Sequence, residues 1–222
     1  MPSDLTLWLL HGLDTAQGNL SFMAWNSFLA LVPLALSFWL FRRGGSHARP
    51  IFWWVGLVVF VAFLPNAPYV LTDIIHLVKD IRSGQSVWAV ALILVPQYFV
   101  FIGLGIFAYT LAIVNLGRYL SRLGKIRWVL PTELTLHGLS AIGIYLGRFL
   151  RFNSWDLVTR PGTVIGKTLG LLLVKKSLIV MVGTFLIIAV VHWLLKQITL
   201  AMIFYWRTRH LRAAQRHLGG GI

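Results

Sequence analysis

Hydrophobic positions fall along this chain in long unbroken runs, with polar residues gathered between them. The first run is about Leu20 to Phe41, closed by Arg42 and Arg43. The second, Ile51 to Leu64, is 14 residues long. The third is about Val87 to Ala112, interrupted by Pro96, and the fourth about Trp128 to Leu150. The fifth is about Ser177 to Leu195, with an apolar extension to Trp206. Runs near 20 residues suit helices that cross a bilayer. Because the runs are continuous and do not alternate, they predict helices and not the strands of a barrel. The expectation is an all-α, polytopic transmembrane helical bundle of about five spans, five to six, forming one integral membrane domain over residues 1–222. Residues 1–19 and 157–176 are ambiguous: each holds a short apolar piece suited to lying on the membrane or dipping into it.

The second run is where the pattern breaks. Fourteen helical residues reach about 21 Å, short of a hydrocarbon core about 30 Å thick. The stretch PNAPYVLTDIIHL follows. Pro65 stops the helix from continuing undistorted, and Pro68 suits the first turn of a new one. A kink at Asn66 and Ala67 is therefore expected, then an interfacial amphipathic helix. Leu71, Ile74, Ile75, Val78 and Ile81 fall on its apolar face, while Thr72, His76, Lys79, Asp80 and Ser83 share the other side. His76 lies three residues after Asp73 and four before Asp80, spacings that let side chains meet. Broken helices at membrane depth survive where they face protein or a cavity, and they often mark binding sites.

Charge refines this picture. Lys and Arg number 20 against 6 acidic residues, and only 12% of residues are charged. In a soluble protein that excess points to nucleic acid. Here the basic residues cluster in short loops beside spans, where they set orientation and touch anionic lipid, so no nucleic-acid partner is expected. Placing Arg42 to Arg49, Arg118 to Arg127 and the basic tail 207–222 in the cytoplasm puts the N-terminus outside and the C-terminus inside. The bias is modest, because Lys167, Lys175 and Lys176 fall outside. Of the 6 acidic residues, Asp4, Asp14, Asp73, Asp80 and Asp156 also fall outside. Tryptophans such as Trp25, Trp39, Trp88, Trp128 and Trp206 lie near span ends, as an aromatic belt does. The chain has no cysteine, which excludes disulfides and thiol chemistry within it. Its first Lys or Arg is Arg42, so no cleavable signal is evident.

This topology sets a second polar segment, GRFLRFNSWD from Gly147 to Asp156, on the same outer side as the proline break. Arg148 and Arg151 are three residues apart, spaced to share a helix face and grip a phosphate or carboxylate bidentately. Asn153, Ser154, Trp155 and Asp156 follow. The candidate ligand-binding set is therefore Asn66, Tyr69, Thr72, Asp73, His76, Arg148, Arg151, Asn153, Trp155 and Asp156, with Asp73 and His76 as candidate metal ligands. A secondary intramembrane polar cluster is expected from Glu133, His137 and His192, since ionisable groups in spans face the bundle interior. Gly143 and Gly147 form a GxxxG that favours close helix packing. Asn26 and Gln97 read as interhelical hydrogen-bond partners.

The motifs LPNAPYVLTDIIHL and GRFLRFNSWD, with AWNSFLALVPLALSFWLFRR around Asn26, resemble the bacterial membrane-protein family called domain of unknown function 1361. The resemblance covers roughly residues 22 to 200. It implies a small polytopic protein of the bacterial cytoplasmic membrane and implies no activity.

Three functions fit this pattern. The first is binding or transport of a small anionic or lipid-headgroup-like ligand at the outer polar site. The second is a membrane-embedded hydrolase or transferase, metal-dependent or metal-free, acting on a lipid-like substrate, with His76 or Asp73 as general base or metal ligand. The third is a structural protein, in which Asp73 paired with Arg148 or Arg151 locks one segment to another. No serine-hydrolase, HExxH, phosphate-loop or haem motif is present. Membrane lipids are the expected partners.

Overall fold

The computed structural model of the chain describes residues 4–42 and 50–219, with side chains at 4–6, 157, 158, 203 and 207–219 outside that description. The loop from Arg43 to Arg49 therefore lies outside the described residues, as does the extreme C-terminus from 220. Within those limits the chain is helical throughout. Helix α1 runs Asp4–Arg42, α2 Ile51–Phe63, and α3 Asn66–Tyr69. A 3-10 turn at Val70–Asp73 leads into α4, Ile74–Arg82. After a turn come α5, Val87–Ala89, a π-turn at Val90–Leu94, and α6, Val95–Arg122. Then follow α7, Val129–Leu150, α8, Asp156–Thr159, α9, Pro161–Leu172, and α10, Lys175–Gly219.

Lipid offers the backbone no hydrogen-bond partners, so runs this apolar fold as helices. Four stretches are long and apolar enough to cross a membrane: Leu7–Arg42, Ile51–Arg82, Val87–Arg122 and Lys175–Trp206. The 22-residue α7, expected as a span, is not among them. Its first half carries Pro131, Thr132, Glu133, Thr135 and His137. Glu133 and His137 are buried against neighbouring helices. The π-turn precedes Pro96, whose missing N–H interrupts regular helical bonding. Positive φ at Gly84 and Gly124 ends α4 and α6. The ambiguous residues 4–19 form the first turns of α1, and most of 157–176 forms α9.

The structure changes the picture of α4. The sequence suggests a helix lying along the membrane with a solvated polar face. Instead, part of that face, His76 and Asp80, meets α1, while Lys79 and Ser83 stay exposed. Asn26 donates to Asp73 Oδ2 at 2.9 Å, and Asn19 donates to Asp80 Oδ2 at 2.8 Å. Both pairs of positions are seven residues apart and run in opposite senses, so α4 lies antiparallel to α1 and prolongs the path of α2. Ile74, Ile75, Val78 and Ile81 are the exposed side. Asp73 and Asp80 turned inward to partners, with isoleucines and Val78 outward, is the arrangement a lipid surround favours.

The proline break is clamped from two sides by glycines. A Cβ on Gly143 of α7 would lie 2.7 Å from Pro65 Cγ, and one on Gly147 3.2 Å from Tyr69 Cε2. A Cβ on Gly105 of α6 would lie 2.6 Å from the Ala67 carbonyl oxygen. The GxxxG thus works as small residues do in membrane helices, by letting backbones approach. Its partner is the break itself. Gln97, expected to bond between helices, donates to the Ala16 carbonyl at 2.8 Å.

Candidate functional site

Two arrangements share the end of the bundle around the break. The first is an ion-pair lock. Arg148, on the last turns of α7, donates to Asp73 Oδ1 at 3.2 Å and to the Thr72 carbonyl at 2.8 Å. Its guanidinium lies 5.7 Å from the Tyr69 ring centroid. Asp73 is 1% exposed, and its other oxygen is taken by Asn26. His76 Nδ1 is 3.7 Å from Asp73 Oδ1, and its ring stacks on Phe22 at 4.8 Å. This lock fastens α1, the 3-10 turn and α7 together. It also leaves the candidate metal ligands Asp73 and His76 without company: among the described residues, no group of three His, Asp or Glu side chains is arranged to hold a metal.

The second arrangement is a cleft of about 1000 Å³ between α1, α2, α3, α7 and α9. Asn66, Tyr69, Arg151, Asn153 and Ser154 line its polar end, and the remainder is mostly apolar, with Asn26 and Thr168 as its other polar residues. Arg148 and Arg151 do not share a helix face. Helix α7 ends at Leu150, and Arg151 takes the left-handed conformation, φ 55 and ψ 34, as its C-cap. The Arg151 and Phe152 N–H groups both close on the Leu146 carbonyl. Arg151 is the one non-glycine residue with positive φ among those described. Glycine usually occupies such a position, since a Cβ there costs about 1–2 kcal/mol. Strain of this kind concentrates at functional sites. Among the described residues, the Arg151 guanidinium meets no carboxylate and no hydrogen-bond acceptor.

The loop behind Arg151 is fixed by polar contacts. Asn66 Nδ2 donates to the Phe63 carbonyl at 3.0 Å and to Ser154 Oγ at 2.9 Å. With its oxygen accepting there, the Ser154 hydroxyl keeps its own proton to donate. Asp156 Oδ2 accepts the Asn153 N–H at 2.7 Å, and Oδ1 accepts from Arg160 at 2.8 Å. The Asn153 amide first, and Arg160 second, hold the Asp156 carboxyl below its ordinary value of 3.8. A depressed carboxylate stabilises the loop fully above that value, and the contribution is lost as pH falls through the lower folded value. The expected result is an Asn153 amide NMR shift that moves only in this acid window. An Asp156→Asn variant should flatten the titration, and Arg160→Gln should raise its midpoint. An unmoved midpoint in Arg160→Gln would show that the second contact does nothing. Trp155 is exposed, away from the cleft, its carbonyl accepting from Thr159.

The structure also gathers the secondary cluster. Glu133 Oε1 and Oε2 accept from Lys196 Nζ at 2.6 and 2.7 Å. The His137 and His192 rings lie 4.8 Å apart, and His137 Nδ1 is 2.8 Å from the Tyr109 hydroxyl. His192 Nε2 stands 4.0 Å from Glu133 Oε2, too far for a hydrogen bond, and both its ring nitrogens are buried without partners. Sequence reasoning left Tyr109, Ser140 and Lys196 out of this cluster. The spacing of Lys196 four residues after His192 was the available signal. It also missed the cleft wall on α9, where Val164 and Thr168, like Ile165 and Leu169, stand four apart.

A family model described as "Protein of unknown function (DUF1361)" matches residues 25–191. The chain belongs to the DUF1361 family. The matched region holds the break, the lock, the cleft and the buried cluster, apart from His192 and Lys196 just beyond its end. No curated protein matches the chain, and no solved structure does. The DUF1361 description carries no activity, so chemistry must be argued from the side chains.

Proposed function

We propose that this protein is a membrane-embedded binding or transport protein for a small anionic ligand, of the kind a lipid headgroup presents. The observation that carries this reading is Arg151, an unpaired guanidinium in a strained left-handed cap at the mouth of the cleft. Arg148 is paired with Asp73 and Arg160 with Asp156, and among the described residues lining the cleft Arg151 is the one cation. Guanidinium groups hold phosphate and carboxylate oxygens through paired N–H donors. Ser154 and Asn153 add donors beside it. In the reading we favour, α7 is the fourth of five spans, the N-terminus is outside and the basic tail inside. The site then faces the outer side of a bacterial cytoplasmic membrane. Helices α2 and α7 both run from the cleft's apolar end to its polar end, consistent with a second and a fourth span crossing in the same sense.

The lock supports a structural role for its own residues. Asp73, Thr72 and Arg148 form direct pairs that hold the break in shape beside the cleft. The residues lining the cleft include no carboxylate and no imidazole, so nothing there favours the hydrolase reading.

The test is binding of glycerol 3-phosphate to purified protein, with Arg151 changed in two ways. Arg151→Gln removes a charge-assisted contact worth about 1.5–3 kcal/mol and should weaken binding about tenfold or more. Arg151→Gly should lose the same affinity while raising Tm, because glycine takes positive φ without strain. Unchanged affinity in both variants would discard the reading.

A further inference from the structure

The cleft is larger than a headgroup needs, and most of it is apolar. Along α2 and α3 its lining extends from Leu57 to Tyr69, about 18 Å at the helical rise. That is a little more than one leaflet of a hydrocarbon core about 30 Å thick. Its apolar side is not closed. Trp25, Val58, Leu139, Ile165 and Leu169 all line the cleft and are all exposed, Val58 at 67%. On helices that cross a membrane, an exposed apolar rim opens to acyl chains. Asn66, Arg151, Asn153 and Ser154 gather at one end, and Arg151 is the one guanidinium among the described lining residues.

Resting on the anion-binding reading above, we propose that the natural occupant is an anionic, phosphate-headed lipid of one leaflet, entering sideways between α2 and α9. Its phosphate sits against Arg151, Asn153 and Ser154, and one acyl chain lies along Leu57, Val58, Val61 and Leu139. Charge and length agree. One guanidinium matches the single negative charge of a phosphodiester, and the apolar slot matches one leaflet's depth. The driving force for the tail is small, since lipid and cleft are similarly apolar. The tail's contribution is to present the headgroup at high local concentration in the plane of the membrane.

The experiment uses the full chain in phosphatidylcholine nanodiscs containing a minor share of phosphatidylglycerol with a photoreactive group in its tail. Adducts are mapped by mass spectrometry, and glycerol 3-phosphate binding is measured in parallel. The expected result is labelling concentrated on residues 57–69 and 139–147, several-fold above the lipid-facing side of α10. Labelling should fall about tenfold in Arg151→Gln. Val58→Trp and Leu139→Trp, which put a larger side chain into the proposed tail slot, should cut tail labelling several-fold. Labelling spread evenly over the lipid-facing helices, or unchanged in both Trp variants, overturns the lipid proposal. If glycerol 3-phosphate still binds in an Arg151-dependent way, only the tail inference falls. If neither probe depends on Arg151, the anion-binding reading falls with it.

Discussion

Asp73→Ala is expected to destabilise the bundle by about 3–5 kcal/mol, because it strands the partly buried Arg148 guanidinium without a counter-charge. Asn26 would lose its acceptor at the same time. Arg148→Ala should cost a similar amount for the mirror reason: the Asp73 carboxylate, 1% exposed, would keep Asn26 and lose its cation. The more telling variant is the double change, Asp73→Leu with Arg148→Leu. Replacing a whole buried pair by apolar residues is often neutral or stabilising, whereas breaking it is not. The double variant should therefore recover most of the loss, giving a strongly non-additive cycle in thermal unfolding of the detergent-solubilised protein. Additive losses, or single variants within about 0.5 kcal/mol of the parent, would show that the lock contributes nothing.

The next largest effect is expected at Gly105. A Cβ there would stand 2.4 Å from Val70 Cγ2 and 2.6 Å from the Ala67 carbonyl oxygen. Val70 is fully buried, and the carbonyl belongs to the backbone of the break, so neither gives way cheaply. Gly105→Ala should cost about 1–3 kcal/mol by overpacking, and Gly105→Leu more. The damage should travel, because α3 also carries Asn66 and Tyr69 to the cleft. Gly105→Ala is expected to weaken glycerol 3-phosphate binding although Gly105 does not line the cleft. Gly103, with nothing within 4 Å of its added Cβ, is the control. Equal Tm values for Gly103→Ala and Gly105→Ala would refute the account.

Much of this was legible in the chain. Hydrophobic runs of near-membrane length mark the helices, since a backbone in lipid must satisfy itself internally. Pro65 and Pro68 mark the break, and Asn26 and Gln97 mark interhelical contacts. Other features were not legible. The polar face of α4 reads the same whether it meets water or another helix, and the structure shows part of it meeting α1. Arg148 and Arg151 look equivalent at a spacing of three, yet one lies within the helix and the other caps it. The wall supplied by α9 is hidden because a short apolar helix has no period that names its neighbour. Lys196 looks like an interfacial lysine until Glu133 is found 2.6 Å away.

By itself, then, the sequence determined that this is a helical membrane protein, where its helices break, and which polar residues lie near the break. Those are local properties: hydropathy, proline geometry and helical spacing act over a few residues. Only the tertiary structure decided which polar groups cancel one another and which stay free. Asp73 met Arg148, Asp156 met Arg160, Glu133 met Lys196, and Arg151 met none among the described residues. That outcome depends on contacts between positions 4 to 75 residues apart, which the packing of the helices brings together. A charge becomes a binding site or a buckle according to what packs beside it.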